Sequence, residues 1–278
     1  GYALERRPLG TGIAESPAGR ALQVEEGIDL VAARALTYYA SACVDRLRGM
    51  ERDLERGDFA DDATKREVKQ AARQLKKVSG ILTPMSKYYA SEMSIRVTNH
   101  AISVMGGNGY MHDYPLERHL RDSRITTIYE GTTQLQIVAA SSGVVNGEAK
   151  GLVEELLDGE WAHPIADVVE QIREALPMLD EAIERSKNDD DPNYRRLHAR
   201  RLTDMALTMI IGALLARQAK ASEKRLAFAK HWLETRLPEY RAIHERIMHG
   251  ERLVLTEFET LARSEERRVG KECPSPCR

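Results

Sequence analysis

The chain has 278 residues, room for one large domain or two ordinary ones, and its 42% hydrophobic content can fill a core. Forty-one Lys and Arg against 43 Asp and Glu leave a net charge of -2, which excludes a global field for nucleic acid or anionic lipid. Aromatics are 5%, strand-like runs of Val, Ile, Thr and Tyr are nearly missing, and charges alternate in sign at helical spacing, so an all-α fold is expected. Three cysteines, Cys43 in an apolar helical stretch and Cys273 and Cys277 near the end, make no disulfide framework, and a reduced, cytoplasmic protein is the expectation.

The opening GYALERRPLG has neither initiator Met nor apolar signal region and reads as the cut end of a longer chain. From Glu25 to Arg48 apolar residues recur at three and four (Leu30, Ala33, Thr37, Ala40, Val44), which predicts a helix with that face inward. Gly57 to Thr64, rich in Gly and Asp, breaks the chain, and the next helix starts near Thr64 with Val68, Ala72, Leu75 and Val78 on one face. Pro84 predicts a kink or a restart, because proline removes a backbone donor and clashes one turn back. The pattern resumes from Met85 through Tyr89, Met93, Val97 and Val104 and ends at Gly106-Gly107.

After Val145 a short linker, NGEAKG, leads to stretches at 152–157, 168–183, 194–220 and 223–262 that read as three or four amphipathic helices. The most apolar run, Leu202 to Ala216, is shorter than the roughly 18 residues of a membrane span and is expected to be a buried bundle helix. The domain reading is a helical bundle over 1–146, a second over 151–262, and an artefactual or disordered tail over 263–278. That tail carries no metal reading of Cys273 and Cys277.

The chemistry concentrates in Val104 to Gln136. Gly106, Gly107 and Gly109 are expected to take positive φ after the helix ends and to let a ligand approach the main chain, although a plain helix stop explains the same glycines. Pro115 suits the first turn of a short helix carrying Glu117, Arg118 and Arg121. Thr133 and Gln136 have the spacing of a capping box, which places Glu130 just outside a helix N-terminus behind the apolar run Ile125 to Tyr129. The helix end favours its anion, whereas burial beside Ile128 and Tyr129 favours its neutral form; in a dry pocket burial wins and the carboxylate is tuned for removing a carbon-bound proton. Spacing leaves two readings open, a general base and a surface Glu that helps a helix start. His112 and His119, seven apart with no second pair, point to surface or cofactor-rim roles rather than a metal site. Met93, Met105, Met205 and Met209 fall at core-facing spacings, and no GxSxG, Walker or CxxC signature offers a rival chemistry.

Taken in order, GGNGY, YPLERHLRD and IYEGTTQLQ resemble the flavin-binding and catalytic stretch of the acyl-CoA dehydrogenases, and YALERRPLG resembles that family's arginine-bearing helix-to-loop signature. The likeness covers residues 1 to about 145, and the region beyond residue 145 resembles more loosely the helical extension of the very-long-chain members. It implies an all-α C-terminal bundle followed by a second helical bundle, with the N-terminal helical and middle β domains missing. It also implies FAD as cofactor, an acyl-CoA substrate in fatty acid β-oxidation, an electron-transfer flavoprotein as acceptor, and a homodimer or homotetramer. In such enzymes a Glu at the place of Glu130 takes the α proton of the thioester while hydride leaves the β carbon for flavin N5. By position, Thr132 and Gln134 match FAD contacts, Gly131 a substrate-pocket residue, and Arg6, Gly106 and Gly107 contacts to an FAD held mainly by the neighbouring subunit. The departures are Ser103 where the family often has Gln, a second Gln replaced near Ser16-Pro17, and Leu9 for Phe. The alternatives kept are an acyl-CoA oxidase, which uses oxygen, and a non-enzymatic helical scaffold.

Overall fold

The structure, a computed structural model, describes residues 2–7, 10 and 12–263. Leu9, Cys273 and Cys277 lie outside the described residues. Helix α1 (Tyr2–Glu5) and one 3₁₀ turn lead into α2 (Pro17–Arg56), started by Pro17 and by Ser16, whose Oγ accepts from the Gly19 amide at 3.0 Å. Gly57, at φ 75°, ends it. Helix α3 (Asp62–Met105) is capped by Asp61, whose carboxylate accepts from the Thr64 amide at 2.7 Å. Then come α4 (Gly107–Tyr110), α5 (Leu116–Ile125), α6 (Thr133–Val145) and α7 (Glu148–Leu156). The rest of the chain gives α8 (Ile165–Lys187), α9 (Pro192–Leu197), α10 (Ala199–Ala219), α11 (Glu223–His249) and α12 (Leu253–Thr256). Among the described residues there is no strand.

Several boundaries differ from the sequence reading for physical reasons. Helix α3 runs through Pro84 without restarting, because Pro84 is itself buried between the fully buried Leu82 and Met85, and core packing outweighs one lost backbone bond. Ala33 and Ala40 of the expected face of α2 are buried, Ile28, Ala32, Leu36 and Cys43 are buried beside them, and Leu30 is 43% exposed. This 40-residue helix meets α3 along one side and α10 and α11 along another, so its buried face is not a single straight line. The NGEAKG linker is only the turn Asn146-Gly147, with Gly147 at φ 89°. Gly250, at φ 84°, ends the last long helix well before Ala262.

Helices α2, α3, α6, α7, α8, α10 and α11 share one contiguous hydrophobic core. At its centre lies α10, packed against α2, α6, α7, α8 and α11. It is the one described helix long and apolar enough to cross a membrane, yet 78% of that window is buried in the bundle. Within the core α2 buries Asp29, which accepts from Arg96 of α3 at 2.7 Å, Tyr89 of α3 at 3.0 Å and Arg236 of α11 at 3.3 Å. A buried carboxylate so partnered fixes the register of three helices, since losing any partner strands charge inside.

Candidate active site

The loop between α5 and α6 is tied down at several points. The Thr133 amide donates to Thr127 O at 3.0 Å, and the Ile128 and Tyr129 amides donate to Ile125 O at 2.9 and 3.2 Å. Lys87 of α3 donates to Thr126 O and lies 4.4 Å from the centre of the Tyr129 ring. Glu130 takes φ 49°, a left-handed conformation that non-glycine residues seldom adopt, and Gly131 follows at φ 93°. The N-cap of α6 is Thr132, whose Oγ1 accepts from the Leu135 amide at 3.4 Å, so the capping box expected at Thr133 is displaced by one residue. The reason is that the Thr133 hydroxyl is committed to Glu92 of α3 at 2.7 Å. Gln136 does fold back, its Nε2 donating to Glu130 O at 3.2 Å and Gly131 O at 3.5 Å. A Cβ on Gly131 would lie 2.5 Å from that Nε2.

Glu130 itself is exposed, and Ile128 and Tyr129 are each 48% exposed. The dry pocket expected around it is therefore not formed by the described residues. Ile125 before it and Leu135 and Val138 of α6 are also exposed, so apolar side chains on both sides of it in sequence are left open.

A second cluster lies where α1 and the start of α2 meet the end of α3. Arg6, Gly12, Ser16, Gly19, Ser103, Gly106 and Gly107 line a cleft of about 530 Å³. Tyr2 ties it together, its hydroxyl donating to Met105 O at 3.4 Å and accepting from Asn108 Nδ2 at 2.9 Å. Of the three glycines expected at positive φ only Gly106 is, at 59°. Gly107 and Gly109 belong to the turn of α4, and Gly109 is required for space, since a Cβ there would lie 2.9 Å from Ile102 O. Arg6 is exposed and has no carboxylate partner among the described residues. Gln134 lines a third cleft of about 550 Å³, with Ser141, Ser142, Arg195 and Arg196. The structure thus unites Arg6, Gly106 and Gly107, places Glu130, Gly131 and Thr132 on one loop, and sets Gln134 in the first turn of α6 at the edge of another cleft.

Sequence reasoning missed Lys87 and Glu92, which hold the Glu130 loop from α3, and Arg200, which pairs with Glu92. Charged residues within the apolar stretch KYYASEMS were the one available signal; the spacing says nothing of Thr133, 41 positions on. Among the described residues no three His, Cys, Asp or Glu side chains are placed to hold a metal.

The helical bundle thus sets a glycine-lined cleft beside Arg6 and places a carboxylate on a strained loop at a helix start. Family comparison specifies it further. Residues 1–143 match the family model described as acyl-CoA dehydrogenase, C-terminal domain, and residues 145–235 match that described as acyl-CoA dehydrogenase C terminal. The chain belongs to the acyl-CoA dehydrogenase family. A probable acyl-CoA dehydrogenase of Mycobacterium tuberculosis, FadE25, is 31% identical over 144 residues, 52% of this chain and 30% of that protein. The chain thus spans under a third of that relative's length. Its fold is shared with an acyl-CoA dehydrogenase from Bacillus anthracis solved with FAD, at TM-score 0.68 and 18% identity over 90% of this chain and 45% of that one. Caenorhabditis elegans ACDH-11, solved with C11-CoA, gives TM-score 0.65 at 21% identity over 83% of this chain and 38% of that one.

Proposed function

We propose that the protein containing this chain carries out FAD-dependent α,β-dehydrogenation of an acyl-CoA thioester to a trans-2-enoyl-CoA, with Glu130 as the base. The observation that carries the reading is the Glu130-Gly131 pair at φ 49° and 93°, held by Gln136 and Thr133 at the head of α6. A strained backbone pinned from both sides presents a carboxylate at a fixed place, which proton abstraction needs. The carboxylate takes the α proton, and the amide of the same residue is suited to bind the thioester oxygen as negative charge develops there. When bound, FAD supplies the acceptor for the hydride that leaves the β carbon.

The residues fit such a cofactor. The Arg6 guanidinium offers a bidentate partner for a phosphate, and a Cβ on Gly106 or Gly107 would meet nothing within 4 Å, so the main chain is open to a ligand. Thr132 and Gln134 at the head of α6 are the other candidate FAD contacts, and Gly131 the candidate substrate contact. Because the Arg6 cleft and the Glu130 loop are separate, the reading assigns each to a different cofactor of a homodimer or homotetramer, with Arg6, Gly106 and Gly107 serving the neighbouring subunit. The exposed side chains of Ile128, Tyr129, Leu135 and Val138 are then covered by domains beyond this chain. An electron-transfer flavoprotein takes up the electrons.

In the full-length protein, Glu130→Gln is expected to retain FAD and acyl-CoA while losing nearly all bleaching of the flavin by substrate, followed by stopped-flow absorbance. Undiminished bleaching sinks the assignment. Comparing oxygen with an electron-transfer flavoprotein as acceptor separates dehydrogenase from oxidase.

A further inference from the structure

The loop that carries Glu130 is braced from a helix outside the first family match. Thr133, the first residue of α6, donates its hydroxyl to Glu92 Oε1 at 2.7 Å. The same oxygen accepts from Arg200 Nη2 of α10 at 3.2 Å, an ion pair linking residues 108 apart. Arg200 also stacks over Tyr88 of α3, its guanidinium carbon 5.3 Å from the ring centre. One turn further along α10, Asp204 accepts from the Tyr88 hydroxyl at 2.6 Å. Helix α10 therefore grips one face of α3 at two points, and the outer grip ends on the hydroxyl one residue beyond the Thr132 cap.

We infer that α10 positions the catalytic loop: Arg200, acting through Glu92, holds Thr133 and with it the turn that aims Glu130. Resting on the dehydrogenation reading above, it names the part of the chain that sets the geometry of that base. Three features support it. The Glu92 oxygen is shared, so removing Arg200 frees the acceptor that holds Thr133. The backbone being held is strained at Glu130, and a strained turn persists only while its surroundings over-determine it. The ion pair is half exposed, with side-chain exposures of 48% for Arg200 and 37% for Glu92, so it adds little to global stability and its loss is felt in local geometry. Arg200 and Glu92 are thus positioning residues, which act on Glu130 through Thr133.

The test uses the full-length protein. Arg200→Met and Thr133→Val are each expected to speed hydrogen exchange at the amides of residues 128–135, leaving exchange in the middle of α10 unchanged. Each is also expected to lower flavin bleaching by acyl-CoA about threefold to tenfold, chiefly in kcat, the scale on which small misplacements of a catalytic group act. The double variant should be no worse than either single change, since both break one chain of contacts. Arg200→Lys should restore most of the loop protection. Unchanged exchange over residues 128–135 in Arg200→Met, or additive effects in the double variant, overturns the inference. If Arg200→Met does not fold, Glu92→Gln with Thr133→Val repeats the cycle from the α3 side, and additivity there overturns it equally. Failure of the wild-type protein to bleach with acyl-CoA defeats the dehydrogenation reading, whereas loop exchange, measured without substrate, judges the brace on its own.

Discussion

Asp204 sits on α10 facing α3, and burial pushes its carboxyl up to about 6 from 3.8, against the opposing pull of the Tyr88 hydroxyl and the Arg200 guanidinium. Between pH 4 and 6 the native protein holds this proton while the unfolded chain has released it. Asp204's contribution to stability is therefore greatest below pH 4 and falls as pH rises through 6, above which it stays at the lower level. A shift of this size amounts to about 3 kcal/mol of differential stability. Asn keeps an oxygen for the Tyr88 hydroxyl and cannot ionise, so Asp204→Asn is expected to gain about 2 kcal/mol relative to wild type between pH 4.5 and 7. Urea unfolding of both proteins at the two pH values measures it, and a constant difference between them refutes it. The opposite case is His198, fully buried and held neutral: its Nδ1 accepts from Arg201 at 3.0 Å and its Nε2 donates to Glu251 O at 3.2 Å. Burial, then the Arg201 charge, lower its pKa below 6.5, so its contribution is lost as pH falls below that value.

Where helices touch, glycine identity separates tight seams from loose ones. A Cβ on Gly143 of α6 would lie 2.0 Å from Ile81 Cγ2 of α3, a branch held at the buried Cβ of Ile81. On Gly212 of α10 the nearest atoms, Ile172 Cδ1 at 3.3 Å and Leu233 Cδ2 at 3.4 Å, are side-chain ends close to ordinary contact distance. Gly143→Ala is thus expected to destabilise by about 1–3 kcal/mol through overpacking, partly offset by the better helix propensity of Ala. Gly212→Ala should fall within about 1 kcal/mol of wild type. Chemical denaturation ranks them, and equal losses would show that the α3–α6 seam relaxes. The helices were legible because period and punctuation agree: Gly57 and Gly106 end α2 and α3 where the apolar pattern stops. At Pro84 local chemistry left a kink or a restart open, and burial on both sides decides for one continuous helix. The motif singled out Glu130 but not its φ of 49°, since nothing in a non-glycine side chain announces a left-handed turn. The Glu92 to Thr133 contact was beyond reach because it joins positions whose proximity only the packing of α6 on α3 creates.

At the scale of the whole molecule, two family models meet near residue 144 while the hydrophobic core runs across that point without a gap. Ile137, Ala140 and Val144 of α6 are fully buried, as are Met205, Met209 and Ile210 of α10, and all belong to one cluster. The Asp29 cluster ties α2 and α3 to α11 as well, through Arg236. A segment boundary in sequence therefore coincides with no weak plane in packing, and separating the parts would expose apolar surface on both sides together with a buried carboxylate. The chain is expected to unfold in one cooperative step. Trp161 and Trp232 both lie after residue 145, so their fluorescence tracks the second part, whereas far-ultraviolet circular dichroism tracks every helix. The two melting curves should superimpose, and a chain ended at residue 146 should lack a cooperative transition. Curves separated by more than about 5 °C, or a sharp melt of the shortened chain, would show that the halves fold independently; that separation is roughly the shift about 2 kcal/mol produces in a domain of 150–250 residues.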